Sequence, residues 1–208
     1  MPGGSVPRAA FGYLAFGLLG ALEAAGLLPR LAADVAEAAA EVEARLAQLA
    51  PGLPTDVNPA KRLARTIGER TPVVWGAEGI GAVAALRWKA QLNENGKVPA
   101  WSSSLPELDH NEVLGWSDER GRRYLVIALR HEGEPPTSPE RFELSLEIAA
   151  RAGAATEEVW ASGDSALARL ASLVAHGDMV ATYLGIANGA DPTDTGTITW
   201  LKQRLAER

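Results

Sequence analysis

Between residues 91 and 113 the chain reads QLNENGKVPAWSSSLPELDHNEV, and most of its candidate proton-handling groups fall in that span. Glu94 stands between Asn93 and Asn95, just ahead of Gly96; His110 follows sixteen residues later, between Asp109 and Asn111. Gly96 predicts a helix end at Glu94, where unpaired backbone carbonyls carry partial negative charge. Such a place disfavours a carboxylate and is expected to push its pKa upward, toward the range that suits a general base for carbon acids. Asn93 and Asn95 can hydrogen-bond without neutralising it. The same four residues also fit an ordinary polar helix terminus on the surface.

His110 titrates near neutrality when unperturbed. Glu107, Asp109 and Glu112 are close enough in sequence to orient or charge it. The alternative is a histidine held by ordinary polar contacts near a helix start. A metal reading fails on spacing, because these four residues match no helical ligand pattern such as H-E-x-x-H. Ser102, Ser103 and Ser104 could cradle a phosphate after a strand, or be plain turn residues. Gly76, Gly79 and Gly81 form G-x-x-G-x-G, not the dinucleotide fingerprint G-x-G-x-x-G, and read as a sharp turn into a helix. Arg87 and Lys89 read as the solvated or interface side of that helix, and His131 and His176 have no role from sequence.

The elements that must position these groups follow from pattern. Pro7 and Arg8 open an apolar helix to about Leu28, expected to be a core or interface helix. Its uncharged run Ala9–Leu22 is too short for a bilayer, which needs about 20 residues, and a signal peptide is the minority reading. Asp34 is expected to cap a second, alanine-rich helix. PGLPTDVNP, residues 51 to 59, reads as a linker dividing a helical segment, 1–57, from a domain, 58–208. From residue 72, strands and helices alternate: PVVWG, a helix through Glu94, VPAWSSS, a loop entering a short helix near His110, YLVIALR, a helix from Pro139, EEVWASG, a long helix from Asp164 and a last helix, TITWLKQRLAE. That order predicts an α/β fold with a parallel sheet flanked by helices.

The 208 residues are 47% apolar, enough for a sizeable core. A formal net charge of −6 argues against a nucleic-acid surface. With no cysteine there is neither disulfide nor thiolate chemistry, and nothing opposes a cytoplasmic address.

RWKAQLNENGK (87–97) with LPELDHNEVLGW (105–116) resembles the bifunctional phosphoglucose/phosphomannose isomerases of the sugar isomerase (SIS) superfamily. ANGADPT and WLKQRL near the end, and PRAAFGY near the start, are similar to further segments of that family. The resemblance implies a flavodoxin-type SIS sandwich, no cofactor and no metal, and isomerisation of a hexose 6-phosphate through a cis-enediolate. By motif match Glu94 is the base, His110 and Lys202 assist ring opening, and Arg8 stabilises the enediolate. Thr195, Asn93 and Ser102 are carried over as substrate contacts. The family is dimeric, its histidine reaching into the neighbour's site, so a homodimer is expected, with no membrane partner. The family's phosphate-gripping loop belongs to a first subdomain ahead of the Arg8 segment, so the chain alone is expected to be inactive or nearly so. The alternative is a non-catalytic module that binds or senses sugar phosphates.

Overall fold

A computed structural model describes residues 7–208. A 3-10 turn (Pro7–Ala9) leads into α1 (Phe11–Ala24) and α2 (Ala32–Gln48), and α3 (Pro59–Ile67) precedes the first strand. Then come β1 (Thr71–Ala77), α4 (Ile80–Glu94), β2 (Trp101–Leu105), β3 (Tyr124–Arg130), α5 (Ser138–Arg151), β4 (Ala155–Trp160), α6 (Ala166–Ala187) and α7 (Gly196–Ala206). Short 3-10 turns, Glu107–Asp109, Glu112–Gly115 and Arg120–Arg123, fill the path from β2 to β3.

All pairings in the sheet are parallel, in the order β2-β1-β3-β4. β1 and β3 are central and buried almost throughout, which explains why YLVIALR is apolar nearly without a break. Alternate residues feed two layers. Val74, Leu125, Ile127 and Leu129 meet α3, α4 and α6, with Trp88 and Leu173 at the centre. Val73, Trp75, Val126 and Ala128 meet Phe142 of α5 and the turns around Leu108 and Trp116. The fold class expected from the sequence is the one observed.

The sharp turn expected after β1 is present. Gly79 has φ +90°, and a Cβ on Gly76 would sit 2.1 Å from the carbonyl oxygen of Gly81, so side chains are shut out where strand and helix meet.

α6 is the central pillar, and among the described residues it alone is long and apolar enough to cross a membrane, but 61% of that window is buried inside the protein. α2 is laced to it: Ala38 packs with Ala168 and Ala171, and Glu37 accepts from the backbone N–H groups of Asp164 and Ser165. The Tyr183 hydroxyl donates to the Leu49 carbonyl at 2.5 Å.

Three local expectations need correction. α2 begins at Ala32 without a side-chain cap, and Asp34 lies inside its first turn, where an acid is still favoured by the helix dipole. α6 begins at Ala166 rather than at Asp164, with Ser165 as its cap accepting from the N–H of Ala168 at 3.1 Å. α1 is not a core helix: none of its residues is buried, and Tyr13, Leu14 and Leu18 are each more than half exposed.

Candidate active site

Three elements converge on Glu94. α4 delivers it on its last residue; the Pro7–Ala9 turn brings Arg8; the loop from α6 to α7 runs alongside. Arg8 is nine-tenths buried and reaches four partners. Its Nε donates to Asn95 Oδ1 at 2.7 Å, and Nη2 donates to the carbonyls of Pro192 and Thr193 at 3.2 and 3.0 Å. Its Nη1 lies 3.7 Å from Glu94 Oε2, while the Glu94 side chain stays 44% exposed. The guanidinium is therefore fixed, and the carboxylate beside it is open to the cavity.

The Arg8 backbone is held as well. Its carbonyl accepts from Arg87 Nη2 at 2.6 Å and Gln91 Nε2 at 3.2 Å, and Arg87 is clasped by Asp178 of α6 at 2.9 Å. Arg87 is thus a tether, not the solvated side of α4. Burial, partly offset by Arg87, raises the Asp178 pKa.

Asn95 donates to Gln91 Oε1 at 2.6 Å, so its own carbonyl oxygen is turned toward Arg8. A Cβ on Gly185 would come within 2.2 Å of the Asn95 backbone oxygen, so only glycine lets α6 pass this close to the end of α4. Lys97, in the left-handed region at φ 57°, spans Glu94 and Asp194 through their carbonyls. Asn93 donates to the Val98 carbonyl at 2.9 Å. In the loop from α6 to α7, Asp191 is held below the usual carboxylate range by hydrogen bonds from the Thr193 side chain and backbone.

A cavity of about 500 Å³ opens here, lined by Arg8, Asn93, Glu94, Lys97, Asp194 and Thr195 among others. Four of the seven residues expected at the site are thereby brought together. Three are not. Lys202 is exposed on α7, seven residues beyond Thr195; two helical turns place it on the same side as Thr195 but about 10 Å further along. His110 is exposed and does not line this cavity. Ser102 lies within β2, paired with Val74, rather than in a turn after a strand, and it lines a different cavity.

The carboxylates near His110 are committed elsewhere. Asp109 accepts from Arg141 at 2.8 Å and Ser145 at 2.6 Å, pinning the loop to α5. Glu107 accepts from Asn111, and Glu112 from the Trp75 indole, each at 2.8 Å. None of them orients the imidazole. Sequence reasoning placed Asn95 beside Glu94 but missed its bond to Arg8, and it missed Lys97 and Asp194 as parts of the site. Among the described residues, no group of three or more His, Asp or Glu side chains converges to hold a metal ion.

The site thus sits on a four-stranded parallel sheet between helical layers, with a glutamate–arginine pair at the end of one helix. The same fold recurs in the crystal structure of a glucose-6-phosphate isomerase like protein from Thermus thermophilus, with a TM-score of 0.75 at 23% identity over 98% of this chain and 66% of that one. Residues 56–205 match the profile of the bacterial phospho-glucose isomerase C-terminal SIS domain, and the chain belongs to that family.

Two relatives are similar along its whole length: the bifunctional phosphoglucose/phosphomannose isomerases of Caldicellulosiruptor bescii (31% identical over 100% of this chain) and Thermoplasma acidophilum (29% over 99%). The chain spans only 62% and 61% of those two proteins, corresponding to their C-terminal part.

Proposed function

We propose that the chain is the C-terminal part of an aldose–ketose isomerase converting glucose 6-phosphate or mannose 6-phosphate to fructose 6-phosphate. The observation that carries this reading is the Glu94 carboxylate, open to a cavity, 3.7 Å from a guanidinium that is itself fixed. Proton abstraction next to a carbonyl needs that combination: a base, and a preorganised cation where the oxyanion forms.

In the reaction, Glu94 removes the C2 proton of the open-chain aldose, and the C1 oxygen becomes the enediolate oxyanion beside Arg8. The hydroxyl proton passes from O2 to O1, and Glu94 returns its proton to C1, leaving a ketone at C2. Thr195 and Asn93 contact the sugar. Lys202 and His110 assist ring opening, and both must come nearer the cavity to do so. In this proposal His110 is supplied across a homodimer, and the protein works in the cytoplasm. The phosphate grip lies in a preceding SIS subdomain, so the isolated chain turns over weakly or not at all.

A coupled assay tests the reading. Fructose 6-phosphate is offered, and glucose 6-phosphate and mannose 6-phosphate are followed separately, with and without an added first subdomain. Glu94→Gln should lower turnover by about 10²- to 10⁴-fold, as loss of a general base does. Undiminished turnover in Glu94→Gln would remove Glu94 from the mechanism. Absent turnover in every combination, with calorimetric binding of a sugar phosphate retained, would favour the non-catalytic binding module.

A further inference from the structure

A second cavity, of about 520 Å³, lies beside β2 and shares no lining residue with the Glu94 cavity. Its character is different. Trp116 stands edge-on to Trp75 and to Tyr124, with ring centroids 6.0 and 5.5 Å apart, forming one aromatic wall. Trp101, 55% exposed at the start of the edge strand, supplies another flat face at the mouth. The Trp116 indole N–H is buried without an acceptor, at a cost of about 1–3 kcal/mol.

The rim is cationic. Arg120 and Arg123 are exposed, and among the described residues neither has a carboxylate within ion-pair distance, whereas Arg122 between them is matched by Glu119 at 2.9 Å. The Arg123 guanidinium sits over the Tyr124 ring at 5.6 Å. Glu112 lines the cavity with one carboxylate oxygen taken by Trp75 and the other without a partner. Ser102 and Ser103 of the edge strand complete the lining.

Flat π faces suit a planar ring, free arginines suit a phosphate, and a half-used carboxylate suits an amino or hydroxyl donor. We infer that this cavity is a binding site for a mononucleotide. The base lies against Trp101 and the Trp116 wall, and the phosphate meets Arg120 and Arg123. Glu112 accepts from an exocyclic amine or ribose hydroxyl of the nucleotide. A hexose phosphate offers the same anion but no aromatic face. The inference does not rest on isomerase chemistry.

The test is a titration of the 208-residue chain with AMP, GMP and UMP, read by tryptophan fluorescence and calorimetry. Adenosine, ribose 5-phosphate, glucose 6-phosphate and inorganic phosphate serve as comparison probes. At least one mononucleotide should bind with a Kd below about 1 mM and about tenfold or more tighter than any comparison probe. Trp101→Ala should weaken that binding about tenfold, in keeping with the loss of one stacking face. The double variant Arg120→Ala/Arg123→Ala should weaken the nucleotide about tenfold and leave adenosine unchanged. These three positions are exposed, and circular dichroism checks that the variants fold. Glu94→Gln should leave the nucleotide affinity unaltered. No saturation by any mononucleotide below about 1 mM would overturn the assignment. Equal binding of ribose 5-phosphate, glucose 6-phosphate or inorganic phosphate would do so too, as would loss of nucleotide binding in Glu94→Gln.

Discussion

Open parallel sheets ordinarily take ligands in the crevice at the carboxyl ends of the strands, where the strand order reverses. Here that place lies between the ends of β1 and β3, and the end of β3 beside it is closed off by paired side chains. Arg130 donates to Glu134 on one side and at 2.6 Å to Glu158 on the other, with its guanidinium against Phe142 at 4.4 Å and Trp160 at 4.8 Å. His131 packs close to Gly81, within 3.6 Å of where a Cβ would be. The end of α4 is the reverse case. There the arginine is saturated but its carboxylate is left open to a 500 Å³ cavity. Both regions contain an arginine and a glutamate; completeness of hydrogen bonding separates a closed strut from an open pair.

The largest expected effect comes from opening the closed end. Arg130→Ala strands the Glu134 carboxylate, whose side chain is 3% exposed, and should cost about 3–5 kcal/mol in urea unfolding. A cost below about 1 kcal/mol would mean that water already enters there and that the two ends are alike.

Next comes the interior beneath both regions. His176 is buried, both ring nitrogens lack partners, and desolvation with help from Arg45 lowers its pKa from 6.5 to about 4. The unfolded chain binds the proton first, so stability is complete above pH 6.5 and falls as pH drops toward 4. The loss should reach about 3 kcal/mol. His176→Leu should flatten that part of the pH–stability curve, and an unchanged slope would assign it to other groups.

A smaller effect is expected for the tether. Arg87→Ala leaves Asp178 without its cation and frees the Arg8 carbonyl, for about 2 kcal/mol. The Arg8 turn should also lose amide exchange protection; retained protection would show that Gln91 suffices.

Glu94→Gln is expected to change stability least, by less than about 1 kcal/mol, because the pair is loose and the carboxylate half-exposed. A stability loss as large as that of Arg130→Ala would make Glu94 another strut and erase the contrast.

The sequence displays what is local. The burial of YLVIALR, the turn at Gly76–Gly81 and the end of α4 at Glu94 all follow from pattern and glycine placement. It hides what is distant. Arg87 looks solvated because Asp178 is 91 residues away, and Asp109 looks like a partner for His110 because Arg141 and Ser145 are more than 30 residues off. VPAWSSS reads as a strand and Ser102 is in one, but the sequence does not say that the serine faces a different cavity from Glu94. α1 reads as a core or an interface helix because its composition is apolar, and composition does not choose between the two.

The grip on residue 8 acts through its backbone oxygen, which Arg87 and Gln91 hold whatever side chain sits there. Position 8 is therefore a socket of fixed location with an exchangeable tip. A series from arginine through lysine to glutamine and methionine varies charge and reach at one point in space, so differences along it read the electrostatics of the pocket free of backbone drift.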